Sequence, residues 1–133
     1  MARIVETVTI NCNADTAWGA VGDIGGLERS VPQLVTRCAY DEATATRTVT
    51  FVNGQTLVEP IVARDDDSMT LVWTAQGGEW HHHNASMHVS ANDDGTSNVC
   101  WTADVLPNDQ GPTITGIIQA GLAALKETLE KGN

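Results

Sequence analysis

Glu59 stands on an alternating run with Leu57, Ile61 and Ala63, the one acid among side chains that share a strand face. A carboxyl group on such a face has two uses. Burial raises its pKa and suits it to general acid or base work. Alternatively it pairs with a cation, stays ionised and serves as a structural ion pair. Arg47, on the preceding run, is the cation within reach. The histidine run His81-His82-His83 supplies a second group. Side chains two apart on a strand share a face, so His81 and His83 should point inward with Met87, and His82 and His88 outward. Inward imidazoles suit hydrogen bonding or proton transfer near neutral pH; with Glu59 as a third ligand they could hold zinc. A solvated strand end is the plain alternative. No third or fourth ligand stands at local spacing, so no metal and no cofactor are expected. Asp65-Asp66-Asp67 lacks the spacing of a calcium loop and ends at a hairpin, so it reads as a solvated turn. No nucleophile elbow, P-loop or dinucleotide fingerprint occurs.

The elements that must position these residues follow from hydrophobic period. Arg3 to Cys12 is rich in β-branched residues and reads as a strand. Asn13 can cap a short helix over Ala14 to Val21. A second short helix from Leu27 should stop before Pro32, because the residue preceding a proline is pushed out of helical geometry. The period then changes to two, with strands expected at Leu34–Asp41, Ala45–Val52, Thr56–Arg64, Met69–Gln76, His81–Ala91 and Ser97–Leu106. Turn signals separate them, and runs this close must pair as antiparallel hairpins. From Pro112 onward, Ile114, Ile117, Ile118, Gly121, Leu122, Leu125 and Leu129 recur at helical spacing and share one face. One strand, two short helices, six strands and one long helix make an α+β chain in which the helix covers one sheet face.

Parity says which face. Leu71, Trp73 and Ala75 go with Met69; Ala85, Met87 and Val89 go with Ala91; Val99, Trp101, Ala103 and Val105 form a third set. All should face the helix. At Asn53-Gly54 a three-residue turn with Gly54 left-handed keeps the apolar sets together. It places Phe51 opposite Leu57 and Val49 opposite Glu59, with Arg47 diagonal to Glu59. Gly116 and Gly121 inside the long helix each cost about 1 kcal/mol relative to alanine. Such residues either allow close backbone approach or leave volume empty, and spacing alone does not choose between the two.

The chain has 133 residues, is 41% hydrophobic and carries a formal net charge of −10. That length suits a single domain spanning residues 1–133. The arginines and lysines are scattered, and so acidic a chain would be repelled by nucleic acid or an anionic membrane. Cys12, Cys38 and Cys100 form no close pair, which argues against a disulfide framework. No apolar leader or membrane-length stretch occurs, so membrane insertion is not expected and a reducing cytoplasm is.

The run Ala17-Trp18-Gly19-Ala20-Val21-Gly22-Asp23-Ile24-Gly25-Gly26-Leu27 is followed by Pro32, Arg47-Thr48-Val49, Asn53-Gly54, Glu59 and Asp65. Val99-Cys100-Trp101-Thr102-Ala103 and Gly121-Leu122-Ala123-Ala124-Leu125 complete the series. In that order and spacing the chain resembles the polyketide cyclase/dehydrase branch of the START-like SRPBCC superfamily, from about Val5 to Lys126. The resemblance implies the helix-grip fold: a seven-stranded curved antiparallel sheet wrapped around the long C-terminal helix, with two short helices after the first strand. It also implies a pocket for a small hydrophobic or aromatic ligand. Relatives commonly place an aromatic residue, and often a histidine, just before the proline; this chain has Ser30 and Val31 there.

The expected protein is therefore a binder of an apolar or aromatic molecule with a polar edge. As an enzyme it would move protons beside a carbonyl, in cyclisation or dehydration, with Glu59, His81 and His83 as acid/base groups. As a carrier or sensor it would use its polar residues only to orient the ligand. A metal-dependent enzyme using the histidine strand is the third reading. Arg47, Phe51, Leu57, Trp73, Met87, Trp101, Ile117 and Gly121 are the expected ligand-lining residues, in a monomer or a homodimer.

Overall fold

A computed structural model describes residues 1–132. Strand β1 (Ala2–Ile10) leads through Asn13 into helix α1 (Ala14–Val21). The Asn13 side chain accepts a hydrogen bond from the Thr16 amide at 2.8 Å, meeting one of the amides a helix start leaves unpaired. Helix α2 (Leu27–Ser30) is one turn and ends ahead of Pro32 as expected. Strands β2 (Val35–Asp41), β3 (Thr46–Phe51), β4 (Thr56–Asp65), β5 (Thr70–Thr74), β6 (His82–Ala91) and β7 (Ser97–Leu106) follow. A 3-10 turn at Asn108–Gln110 precedes helix α3 (Gly111–Lys131), which carries Pro112 in its first turn.

The seven strands form one antiparallel sheet in the order β1-β7-β6-β5-β4-β3-β2. Each hairpin neighbour pairs in sequence, and the first strand closes onto the last, β1 against β7. Helix α3 lies across the concave face, nearest β1 and β7. It is fastened along that edge by Gln119 to Glu6, by Lys126 Nζ to the Thr9 carbonyl, and by Glu130 accepting from the Asn11 amide. Beneath it Ile4, Val99, Ala103, Val105, Ile114, Ile118, Leu122 and Leu125 are buried together.

The inward sets largely follow the expected parity: Leu71, Trp73, Ala75, Ala85, Val89, Val99, Ala103 and Val105 are all buried. Three local features differ. The β3–β4 register pairs Thr50 with Thr56, Val49 with Leu57 and Arg47 with Glu59. The loop is Val52-Asn53-Gly54, closed by the Phe51 amide on the Gln55 carbonyl at 2.9 Å. Gly54 does take positive φ (89°), but the loop is centred one residue earlier than expected. Phe51 therefore faces Gln55, and Arg47 lies directly opposite Glu59 rather than diagonal to it. Secondly, the β4–β5 register slips between Ile61 and Ala63, so Ala63 pairs with outward Val72 and is exposed. Lastly, Met69 belongs to the turn before β5, with φ of 50°.

Candidate functional site

The far half of the sheet, β3 to β5 with parts of β6 and β7, curls away from α3 and encloses a cavity of about 410 Å³. Helices α1 and α2 and the chain from Val31 to Val35 close its sides. The wall is mostly apolar. Val52 and Ile117, at 57% and 42% exposure, stand at an open mouth.

Alternation along β3 and β4 turns Arg47 and Glu59 into this space, and both are buried. Arg47 Nε donates to Glu59 Oε1 at 2.7 Å. Arg47 Nη1 donates to the Ile24 carbonyl at 3.3 Å, which ties the pair to the glycine-rich segment after α1. The guanidinium carbon lies 5.0 Å from the centre of the Trp73 ring, close enough for cation–π attraction. Trp73 in turn meets Trp101 at 5.8 Å between ring centroids, tilted by 59°. Carboxylate, guanidinium and two indoles thus form one continuous wall. Burial pushes the Glu59 carboxyl above its ordinary pKa, while the charge and hydrogen bond of Arg47 pull the other way. Paired like this, the carboxyl is held in a fixed orientation, with one oxygen engaged and one left over.

His83 enters from β6. Its nitrogens, both buried, find no hydrogen-bond partner among the described residues. Desolvation, helped by neighbouring His82, lowers its pKa from 6.5 to about 4, so the ring is neutral at pH 7. The edge of Trp80 packs on it at 4.8 Å. Trp101 Nε1 is likewise buried without a partner. Unsatisfied buried polar atoms are uncommon in native proteins and mark places where something else is accommodated.

Of the residues expected to line a pocket, Arg47, Phe51, Leu57, Trp73, Met87, Trp101, Ile117 and Gly121 all border the cavity, as do Glu59 and His83. His81 does not. It is exposed and precedes β6, which starts at His82, so strand alternation never reaches it. The expected His81–His83 pair is not formed. Among the described residues no three His, Cys, Asp or Glu side chains gather as a metal site.

Sequence reading missed Trp80. It lines the cavity and donates Nε1 to the Ala75 carbonyl at 2.8 Å. Its ring lies over Gly78, where an added Cβ would collide with it. Gly77-Gly78 ahead of a tryptophan was the available signal: a glycine pair that marks a turn also marks where an aromatic ring can fold back over backbone. The two helix glycines also separate. A Cβ on Gly121 would meet Trp101 Cζ3 at 2.7 Å, so that glycine permits close approach. Nothing among the described residues lies within 4 Å of a Cβ on Gly116, which borders open space.

Comparison with known proteins agrees with this fold. The family model described as polyketide cyclase / dehydrase and lipid transport matches residues 1–130. A solution NMR structure from Thermobifida fusca is 28% identical, with TM-score 0.81 over 98% of this chain and 95% of that one. The protein XoxI from Bacillus cereus has 18% identity and TM-score 0.87, over 97% and 96% of the two chains. BexL, a di-domain ARO/CYC from the BE-7585A biosynthetic pathway, has 13% identity and TM-score 0.84, over 98% of this chain but 47% of its own. The last two likenesses concern the fold. No curated protein matches the chain.

Proposed function

The chain belongs to the polyketide cyclase / dehydrase and lipid transport family, and we propose that it binds a small apolar or aromatic molecule with a polar edge in the cavity beside α3. The observation that carries this reading is the cavity itself: about 410 Å³, walled by aromatic and aliphatic side chains around one buried ion pair. Small-molecule sites have this make-up, an apolar enclosure with a few convergent polar groups.

Glu59 is the candidate proton-transfer group. Its fixed orientation, raised pKa and free second oxygen suit a group that takes a proton beside a ligand carbonyl and returns it. Arg47 would balance the charge, and neutral His83 is a candidate base for a ligand that displaces Trp80 from it. The carrier reading has its own support. Glu59 is held by Arg47, and both nitrogens of His83 are sealed, an arrangement that orients without reacting.

The uncharged fluorophore N-phenyl-1-naphthylamine tests the binding reading. Saturable fluorescence enhancement at one site per chain is expected, weakened by Gly116→Leu in a protein that still unfolds cooperatively. Absence of saturation in the wild type would refute it. Glu59→Gln then separates enzyme from carrier. A catalytic carboxylate predicts turnover lower by about 10²-fold or more with affinity little changed, whereas a carrier shows only altered affinity.

A further inference from the structure

The charge around the cavity limits what its polar end can hold. Among the described residues, Arg47 and Glu59 are the only formally charged ones in its wall, and they are bonded to each other. Their charges therefore cancel in place. The remaining polar wall, including Ser30, Asn53, Gln55 and Thr113, adds hydrogen-bonding atoms and no charge, and His83 is neutral with its nitrogens sealed.

The polar atoms of the pair are not all engaged. Arg47 uses Nε on Glu59 and Nη1 on Ile24. Among the described residues, Nη2 and Glu59 Oε2 make no hydrogen bond. Neither atom is among the buried polar atoms sealed from contact without a partner. Both therefore front on open space, and the space they share is the cavity. Nη2 is a donor and Oε2 an acceptor, carried by residues at one paired position on neighbouring strands.

The geometry points to an uncharged ligand whose polar edge carries an acceptor for Arg47 Nη2 and, next to it, an N–H or O–H donor for Glu59 Oε2. A carboxamide has that edge, as does a hydroxyl beside a carbonyl. A carboxylate does not. It would accept from Arg47 but set a second anion against Glu59, leaving a net charge buried in an apolar enclosure with no counter-charge to meet it. An ammonium group fails for the converse reason, facing Arg47. The inference rests on the reading of the cavity as the ligand site and adds the chemistry of its polar end.

Four probes with a common body test it by calorimetry at pH 7.5: 2-naphthamide, 2-methylnaphthalene, 2-naphthoate and 2-naphthylmethylamine. The amide is expected to bind about tenfold or more tighter than each of the other three. Glu59→Gln leaves Arg47 uncompensated, so 2-naphthoate should gain about tenfold in that variant while 2-methylnaphthalene is unchanged, its unchanged affinity showing that the cavity is intact. Should the variant fail to fold, the wild-type ranking decides alone. Naphthoate binding the wild type as tightly as naphthamide would overturn the inference, and so would equal affinities for naphthamide and methylnaphthalene. Both results would leave the binding site standing. No binding of any probe would overturn the site and the inference together.

Discussion

One sheet face does two jobs. Over β1 and β7 it is filled: Ile4, Val99, Ala103 and Val105 pack directly against Ile114, Ile118, Leu122 and Leu125. Over β3 to β5 it is hollow, and its inward residues are an ion pair, Trp73 and Leu57, with space between them and α3. The same helix serves both halves. Ile118 is fully buried and Ile117, one residue away, is 42% exposed at the cavity mouth. Alternation decides only that a residue faces inward. Whether it meets a partner there depends on where the helix is fastened, which is along the β1 edge.

Cutting the ion pair in the hollow half should have the largest effect. Arg47→Met strands a buried carboxylate and should cost about 3–5 kcal/mol, and Arg47→Met with Glu59→Leu should recover most of it. Urea unfolding of the single and double variants measures both. A single variant as stable as the wild type would mean that Glu59 is neutral in the fold. Next come the adjacent isoleucines. Ile118→Ala should cost about 2–5 kcal/mol with its full cavity penalty, and Ile117→Ala less than about 1 kcal/mol while weakening N-phenyl-1-naphthylamine binding. Equal costs would erase the distinction between the halves.

The glycines sharpen it further. Gly121→Leu drives a side chain into Trp101 and should destabilise by about 1–3 kcal/mol. Gly116→Leu should be neutral or stabilising by up to about 1 kcal/mol, because it meets open space and relieves a helix glycine. The smallest effect is a pH slope. His83 titrates near 6.5 when unfolded and near 4 in the fold. The unfolded chain therefore binds more protons between these values. The contribution is fully present above pH 6.5 and is lost as pH falls toward 4. Since the ring is partly exposed, the loss should stay at about 2 kcal/mol or less. His83→Gln should flatten that slope in thermal unfolding series taken from pH 7 to 4.

The filled half was open to sequence reading because period two and period 3.6 report burial directly. Val99, Ala103 and Val105 alternate without interruption, and Ile114, Ile118, Leu122 and Leu125 recur at helical spacing. The Arg47–Glu59 pairing was legible as well, since a lone acid and a lone base on facing strands must answer each other. What escaped depends on single-residue geometry. His81 fails because alternation holds only where the backbone is extended, and the strand starts one residue later. The Asn53-Gly54 signal located the turn but not its centre, and a shift of one residue moved Phe51 from Leu57 to Gln55. Trp80 escaped because it comes from a loop, where no period says which way a side chain turns.

The slip in β4 between Ile61 and Ala63 behaves like a change of reading frame. Before it, Leu57 and Glu59 face the cavity and Ile61 pairs with Trp73. After it, Arg64 takes the inward parity opposite Leu71 and reaches the Gly22 carbonyl and the Trp18 ring. Val62, 62% exposed, is the extra residue. Its identity is nearly free, but its presence is not. Substituting Val62 leaves both phases intact, whereas deleting it would throw one end of β4 out of phase with its neighbours. Either Glu59 would turn to solvent or Arg64 would release α1. Length at this point is a more stringent requirement than chemistry, and the strand should accept many substitutions where it accepts no deletion.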